Sequence, residues 1–269
     1  MKDWLEIVGY ELEIDEFPDG SFRYTILDLP EADPLSFTII LKTTLPASIV
    51  ALMQVCIAII EVFPNTFIQL VVQTLPDQRA DRAETRGMTV ASAATIYLLG
   101  RLPVDKITVY DLHSVYCEEN LRRACEYGKI ELEIIDSLEC FKQSLGQANL
   151  PIDFVVAVDK GAITRAGLAA EAFNCDIIYA DKNRVDGTII GHKIKSTSKT
   201  PEPSDNIWVI DDLCDGGATF ISIAKLLREN YEFNQLNLYV THGLFSKGKE
   251  ELSKYYDNIL SHFDYSETK

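Results

Sequence analysis

The chain has 269 residues, 47% of them hydrophobic and 25% charged, a globular balance with length for one large or two medium domains. Its formal net charge of −16 excludes an extended nucleic-acid footprint, which needs basic patches. A small phosphorylated ligand stays open, because a few local Arg and Lys, or Mg²⁺, suffice to bind it.

The first segment, MKDWLEIVGYELEIDEF, is acidic and lacks the apolar core of a signal peptide. A strand-like run follows, FTIILK at 37–42, and then a helical pattern over 46–62. The latter holds the most apolar stretch of the chain, SIVALMQVCIAII at 48–60, too short to span a bilayer. It reads as a buried helix of a protein with no membrane partner. Next come the strand FIQLVV (67–72), a helix over 89–100, the strand KITVYD (106–111) and a helix over 117–127. The stretch YGKIELEIIDS (127–137) reads as the boundary between an N-terminal domain, 1–136, and a C-terminal domain, 137–269. Beyond it lie FVVAVD (154–159), a helix over 165–173, CDIIYA (175–180), the polar proline-containing loop STSKTPEPSDN (196–206), NIWVID (206–211), a helix over 218–229 and LNLYVTH (236–242). Continuous apolar strands alternating with helices predict an α/β protein with mainly parallel sheets flanked by helices. The six cysteines (Cys56, Cys117, Cys125, Cys140, Cys175 and Cys214) form no C-x-x-C pair and no zinc spacing. They read as reduced, mostly buried thiols of a cytoplasmic protein.

Glycines, acids and most isolated basic residues gather just after the strands, as in LPDQRADRAETR, LHS, KGAITRAG, DKNR, DLCDGGAT and GLFSKG. Open α/β sheets bind ligands at the carboxyl ends of their strands. The segment VIDDLCDGGATF (209–220) carries this furthest. Backbone N–H groups of a glycine turn entering a helix can hold a phosphate. The carboxylates Asp211, Asp212 and Asp215 beside it can accept sugar hydroxyls or meet Mg²⁺. Together these features fit a sugar phosphate. The plainer reading is an acidic capping loop with Thr219 or Asp215 as the helix cap.

VIDDLCDGGAT resembles the phosphoribosyl-diphosphate loop of type I phosphoribosyltransferase folds. The remaining loops narrow the resemblance to the ribose-phosphate diphosphokinases, or PRPP synthetases. FPDGS (17–21) resembles FSDGE, RADR (79–82) resembles RQDR, and YDLHS (110–114) carries DLH. DKGAITRA (159–166) resembles DxGGxxRA, ADKNR (180–184) resembles DKRR, and THGLFS (241–246) resembles THxxFS. The ordered set covers nearly the whole chain. Departures are Ser21, Ala80, Ala162 and Asn183, together with Gly216 where the family turn has Thr and Ala218 where it has Gly. Against the family pattern the chain also reads as shortened at both ends.

The resemblance implies two tandem type I phosphoribosyltransferase-like domains. It implies transfer of the β,γ-diphosphate of ATP to the C1 hydroxyl of ribose 5-phosphate, with Mg²⁺. It places Asp211, Asp212 and Asp215 on ribose hydroxyls and Gly216, Gly217, Ala218 and Thr219 on the 5-phosphate. Lys182 and Arg184 fall on a mobile catalytic loop, where they stabilise charge on the transferring group. Arg79, Asp81, Arg82 and His113 contact ATP, and His113 and Asp159 serve Mg²⁺. Phe17 and Asp19 hold adenine across a subunit interface, which implies a homo-oligomer. A smaller residue at 216 opens room past the phosphate, so ADP-ribose stands as an alternative acceptor. A transferase that consumes PRPP explains the Asp211 loop but not RADR or DLH. A catalytically silent regulatory relative is the remaining alternative.

Overall fold

A computed structural model describes residues 4–43, 48–148, 150–185 and 188–266, with side chains 182–190 outside that description. Two compact units meet in sequence between Ile135 and Asp136.

In the first unit β1 (Leu5–Ile7), β2 (Leu12–Glu16) and β3 (Phe22–Ile26) precede β4 (Ser36–Leu41). Then come α1 (Ser48–Val62), β5 (Phe67–Val72), α2 (Ala91–Leu99), β6 (Lys106–Tyr110), α3 (Val115–Gly128) and β7 (Glu131–Ile135). Among the described residues the main sheet runs β1-β4-β5-β6-β7, parallel except for β1 against β4. β2 and β3 form a separate hairpin, and β3 packs against α1. α1 buries Ile49, Leu52, Val55, Cys56 and Ile59, but Val50 and Ile57 on its outer side are exposed, so the helix is buried on one face only. The predicted helix start at 46 and 47 lies outside the described residues. The stretch read as a boundary is largely β7, the edge strand of this sheet; only its end separates the units.

The second unit contains α4 (Ser137–Ala148), β8 (Phe154–Ala157), α5 (Ile163–Phe173), β9 (Asp176–Val185) and β10 (Thr188–Thr197). It ends with β11 (Asn206–Cys214), α6 (Ala218–Asn230), β12 (Gln235–Gly243) and β13 (Asn258–Asp264). The order is β10-β9-β8-β11-β12-β13, parallel except for the β9–β10 hairpin. All of β8 and the first five residues of β11 are buried, as central parallel strands covered on both faces must be. Trp208, Tyr239 and Phe141 pack together at the heart of this core. The α/β class with mainly parallel, helix-flanked sheets is as the sequence predicts. Two strands run on where loops were expected: β9 continues through Lys182 and Arg184 to Val185, and β11 continues through Asp211 and Asp212 to Cys214. Residues 196 and 197 of the expected polar loop belong to β10.

Candidate active site

Strand order in the second sheet decides where a ligand can sit. β8 and β11 are adjacent and parallel, with Ala157 opposite Ile210. From β8 the chain moves to β9 on one side, and from β11 to β12 on the other. Loops leaving a pair of strands at such a reversal diverge and open a crevice at their carboxyl ends. Asp159 lies two residues past Ala157, and Asp211 directly follows Ile210, so the topology brings them together.

Asp159 Oδ1 accepts hydrogen bonds from the N–H of Gly161 (2.9 Å) and Ala162 (3.3 Å), turning the chain into α5. Ala162 is fully buried, so its methyl group packs in the core. One turn into α5, the mostly buried Arg165 reaches Asp211 at 3.6 Å. Asp211 has only 19% of its side chain exposed. Burial, then the charge of Asp212, pushes its carboxyl well above the usual range; Arg165 opposes this and Asp159 adds to it. Arg165 lies within the quoted DKGAITRA motif but received no role from the sequence. Its function as counter-charge is visible only once β8, α5 and β11 are assembled.

The turn after β11 answers the question of capping. The cap position of α6 is Gly217, with φ +77°, and no side chain caps the helix. The plainer reading placed Thr219 or Asp215 at the cap, and neither stands there. A glycine at the cap leaves the helix start to its backbone N–H groups, which can receive an anion. A Cβ at Gly217 would lie 3.2 Å from Leu252 Cδ2 as well as in a left-handed backbone. Gly217→Ala is expected to destabilise the protein by about 1–2 kcal/mol, measured as a lower midpoint in urea. An unchanged midpoint would show that the turn relaxes freely. Asp215 is exposed, Thr219 is half-buried and Ala218 is exposed. Gly216 has no positive φ. The space beside it is not open as the sequence implied: the stem of Lys247 lies across it, with Cε 3.4 Å from where a Cβ would stand. Burial, and then Asp215, pushes the Cys214 thiol up to about 12, which removes it as a nucleophile.

In the first unit, the loops after β5 and β6 lie side by side because those strands pair in parallel. Gln78 is buried, and its Oε1 accepts the His113 N–H at 3.0 Å. Asp81 is buried and holds Arg82 through Nε (2.9 Å) and a second nitrogen (3.3 Å). Burial pushes the Asp81 carboxyl up, but hydrogen bonds from Arg82 and Ser114 and the nearby His113 outweigh it and hold it below its ordinary value. Arg79 and Arg82 are exposed and His113 is half-buried. Gln78, which ties the two loops together, was not singled out in the sequence. Phe17 and Asp19 sit at the tip of the separate β2–β3 hairpin. There Asp19 Oδ1 accepts the N–H and the hydroxyl of Ser21 at 3.0 and 2.7 Å, bonds that lower its pKa. His113 and Asp159, both expected to serve Mg²⁺, belong to different units. Lys182 and Arg184 lie on β9, paired with His192 and Ile189 of β10 rather than on a loop; their side chains lie outside the described residues.

The model of the phosphoribosyl transferase domain matches residues 126–267. The ribose-phosphate pyrophosphokinase of Pyrococcus furiosus is 26% identical over 255 residues, 92% of this chain and 84% of that protein. The ribose-phosphate pyrophosphokinase of Thermococcus kodakarensis is 27% identical over 259 residues, 93% of this chain and 84% of that protein. The crystal structure of phosphoribosylpyrophosphate synthetase from Mycobacterium smegmatis superimposes with a TM-score of 0.73 over 92% of this chain and 78% of that one, at 16% identity, a likeness of fold. A glycine turn at a helix start, beside clustered carboxylates at a sheet reversal, is thus found in a chain matched over most of its length by these proteins: the chain belongs to the phosphoribosyl transferase domain family, within its ribose-phosphate pyrophosphokinase (PRPP synthetase) group.

Proposed function

We propose that this protein transfers the β,γ-diphosphate of ATP to the C1 hydroxyl of ribose 5-phosphate, giving PRPP and AMP. The observation that carries this reading is the Gly217-led start of α6 beside Asp211, Asp212 and Asp159 at the sheet reversal. Family membership narrows the anion to a sugar phosphate. The C1 oxygen attacks the β-phosphorus, the bond from that phosphorus to the α,β-bridging oxygen breaks, AMP departs, and the hydroxyl proton passes to solvent. Such transfer needs positioning and charge neutralisation more than covalent help.

In this reading the second unit holds the acceptor. Asp211, Asp212 and Asp215 take ribose hydroxyls, and the N–H groups of Gly216–Thr219 take the 5-phosphate. The first unit holds ATP, with Arg79 and Arg82 on its phosphates and Asp81 fixing Arg82. Phe17 and Asp19 complete an adenine pocket with a further copy of the chain, so a homo-oligomer is part of the proposal. Mg²⁺ favours carboxylate oxygens and keeps substrate phosphates as ligands. The clustered Asp159 and Asp211 suit it, and no group of three or more His, Cys, Asp and Glu among the described residues forms an all-protein metal site. Bound with the nucleotide, Mg²⁺ would neutralise the diphosphate charge. His113, a nitrogen donor, suits the ATP phosphates better than Mg²⁺. ADP-ribose as acceptor needs room beside Gly216 that the Lys247 stem fills.

The test is AMP formation from ATP with Mg²⁺, with and without ribose 5-phosphate. AMP that depends on ribose 5-phosphate is expected. Folded protein that forms none with ribose 5-phosphate or ADP-ribose would be a silent relative, and the reading would fail.

A further inference from the structure

Gly216 and Lys247 are 31 positions apart in sequence, yet a Cβ at Gly216 would lie 3.4 Å from Lys247 Cε, 3.6 Å from Cδ and 3.9 Å from Cγ. The carbon that carries the ammonium is the nearest. Backbone bonds hold the two segments together. Leu244 and Phe245 donate their N–H to the Cys214 carbonyl at 2.9 and 3.1 Å, and Ser246 donates to the Asp215 carbonyl at 3.2 Å. The loop after β12 is thus fastened along the turn after β11, and it delivers the lysine to that turn.

Two other cations close to this turn among the described residues are occupied. Arg165 faces Asp211. Lys249, two residues beyond Lys247, pairs with Asp264 and lies 4.7 Å over the Phe245 ring. Lys247 is exposed and makes no hydrogen bond or ion pair with any described residue. An anion arriving at the α6 N-terminus meets the carboxylates of Asp211, Asp212 and Asp215 nearby, in a chain of net charge −16. Backbone N–H groups carry only partial charge, so a full cation at the same turn changes the balance most.

We infer that Lys247 is the cation that meets the acceptor's terminal phosphate over the Gly216–Thr219 turn, reaching it because position 216 has no side chain. The inference rests on the proposed function for the identity of the acceptor. It makes Lys247 a ligand-contacting, specificity-determining residue, and it sets a side chain at 216 in competition with the lysine stem. The ammonium favours a terminal phosphate dianion over a phosphate esterified on its far side.

The experiment titrates ribose 5-phosphate and inorganic phosphate by calorimetry into wild type, Lys247→Met, Lys247→Arg and Gly216→Thr, each checked for an unchanged Tm. Losing one charge-assisted contact predicts about 10- to 100-fold weaker ribose 5-phosphate binding in Lys247→Met. KM for that acceptor should rise in parallel, with kcat and KM for ATP little altered. Lys247→Arg should restore most of the affinity, and Gly216→Thr should weaken it by displacing the stem. Ribose 5-phosphate affinity in Lys247→Met within twofold of wild type would overturn the inference, as would absence of binding of either probe to wild type. If neither wild type nor any variant forms AMP while the calorimetric loss persists, the diphosphokinase reading falls and the lysine contact stands.

Discussion

Lys182→Ala and Arg184→Ala are each expected to lower kcat about 10²- to 10³-fold while leaving ATP binding much less affected. Both positions lie on β9, two residues apart. They stand on the β9–β10 hairpin at the edge of the second sheet, next to β8, whose end carries Asp159. A cation whose contact strengthens as charge develops on the transferring diphosphate lowers the barrier without tightening the ground state. Steady-state kinetics with varied ATP and ribose 5-phosphate separates the two parameters. Near-normal turnover in both variants would remove them from the chemistry and leave them as surface charges.

Asp211→Asn should abolish most acceptor use and yet stabilise the fold. The native environment raises the Asp211 pKa through burial and through Asp212, with Arg165 giving only partial relief. Between the ordinary carboxylate pKa and this raised value, the native state holds a proton that the unfolded chain has released. Stability contributed at this site is therefore lost as pH rises through that window, because the unfolded state binds fewer protons there. Asparagine keeps the shape and removes the charge. At neutral pH the expected gain is a Tm about 2–4 °C higher, with a flatter dependence of Tm on pH above the ordinary carboxylate range. The same change removes a hydrogen-bond acceptor for a ribose hydroxyl, and kcat/KM for ribose 5-phosphate should fall about 10- to 100-fold. A lower Tm would mean that the Arg165 ion pair outweighs the repulsion among Asp159, Asp211 and Asp212.

Much of the frame was legible because its signals are local. β5 spans residues 67–72 as its mostly apolar run predicts, and β4, β6 and β12 lie within a residue or two of their runs. A strand buried on both faces needs only apolar residues in a row, and helices between such strands force parallel pairing. Polar strands left no such mark. The polar end of β9 (DKNRV) and the mixed-polarity β10 carry no long apolar run, so Lys182 and Arg184 were read as loop residues and β10 was not read as a strand. β1, β2, β3, α4 and β13 were likewise missed, being short, edge-lying or mixed in polarity.

The sequence by itself determined the α/β class, the order of the ligand loops and the type of chemistry they carry, since each depends on residues close together in the chain. Only the tertiary structure decided which loops meet. Arg165 faces Asp211 because β8 pairs with β11, and Lys247 crosses Gly216 because β11 pairs with β12. Those contacts follow from strand order, a property of the whole sheet that no local pattern encodes. For the same reason Gly216, read alone as an opening, became the seat of a lysine stem once its neighbouring strand was in place.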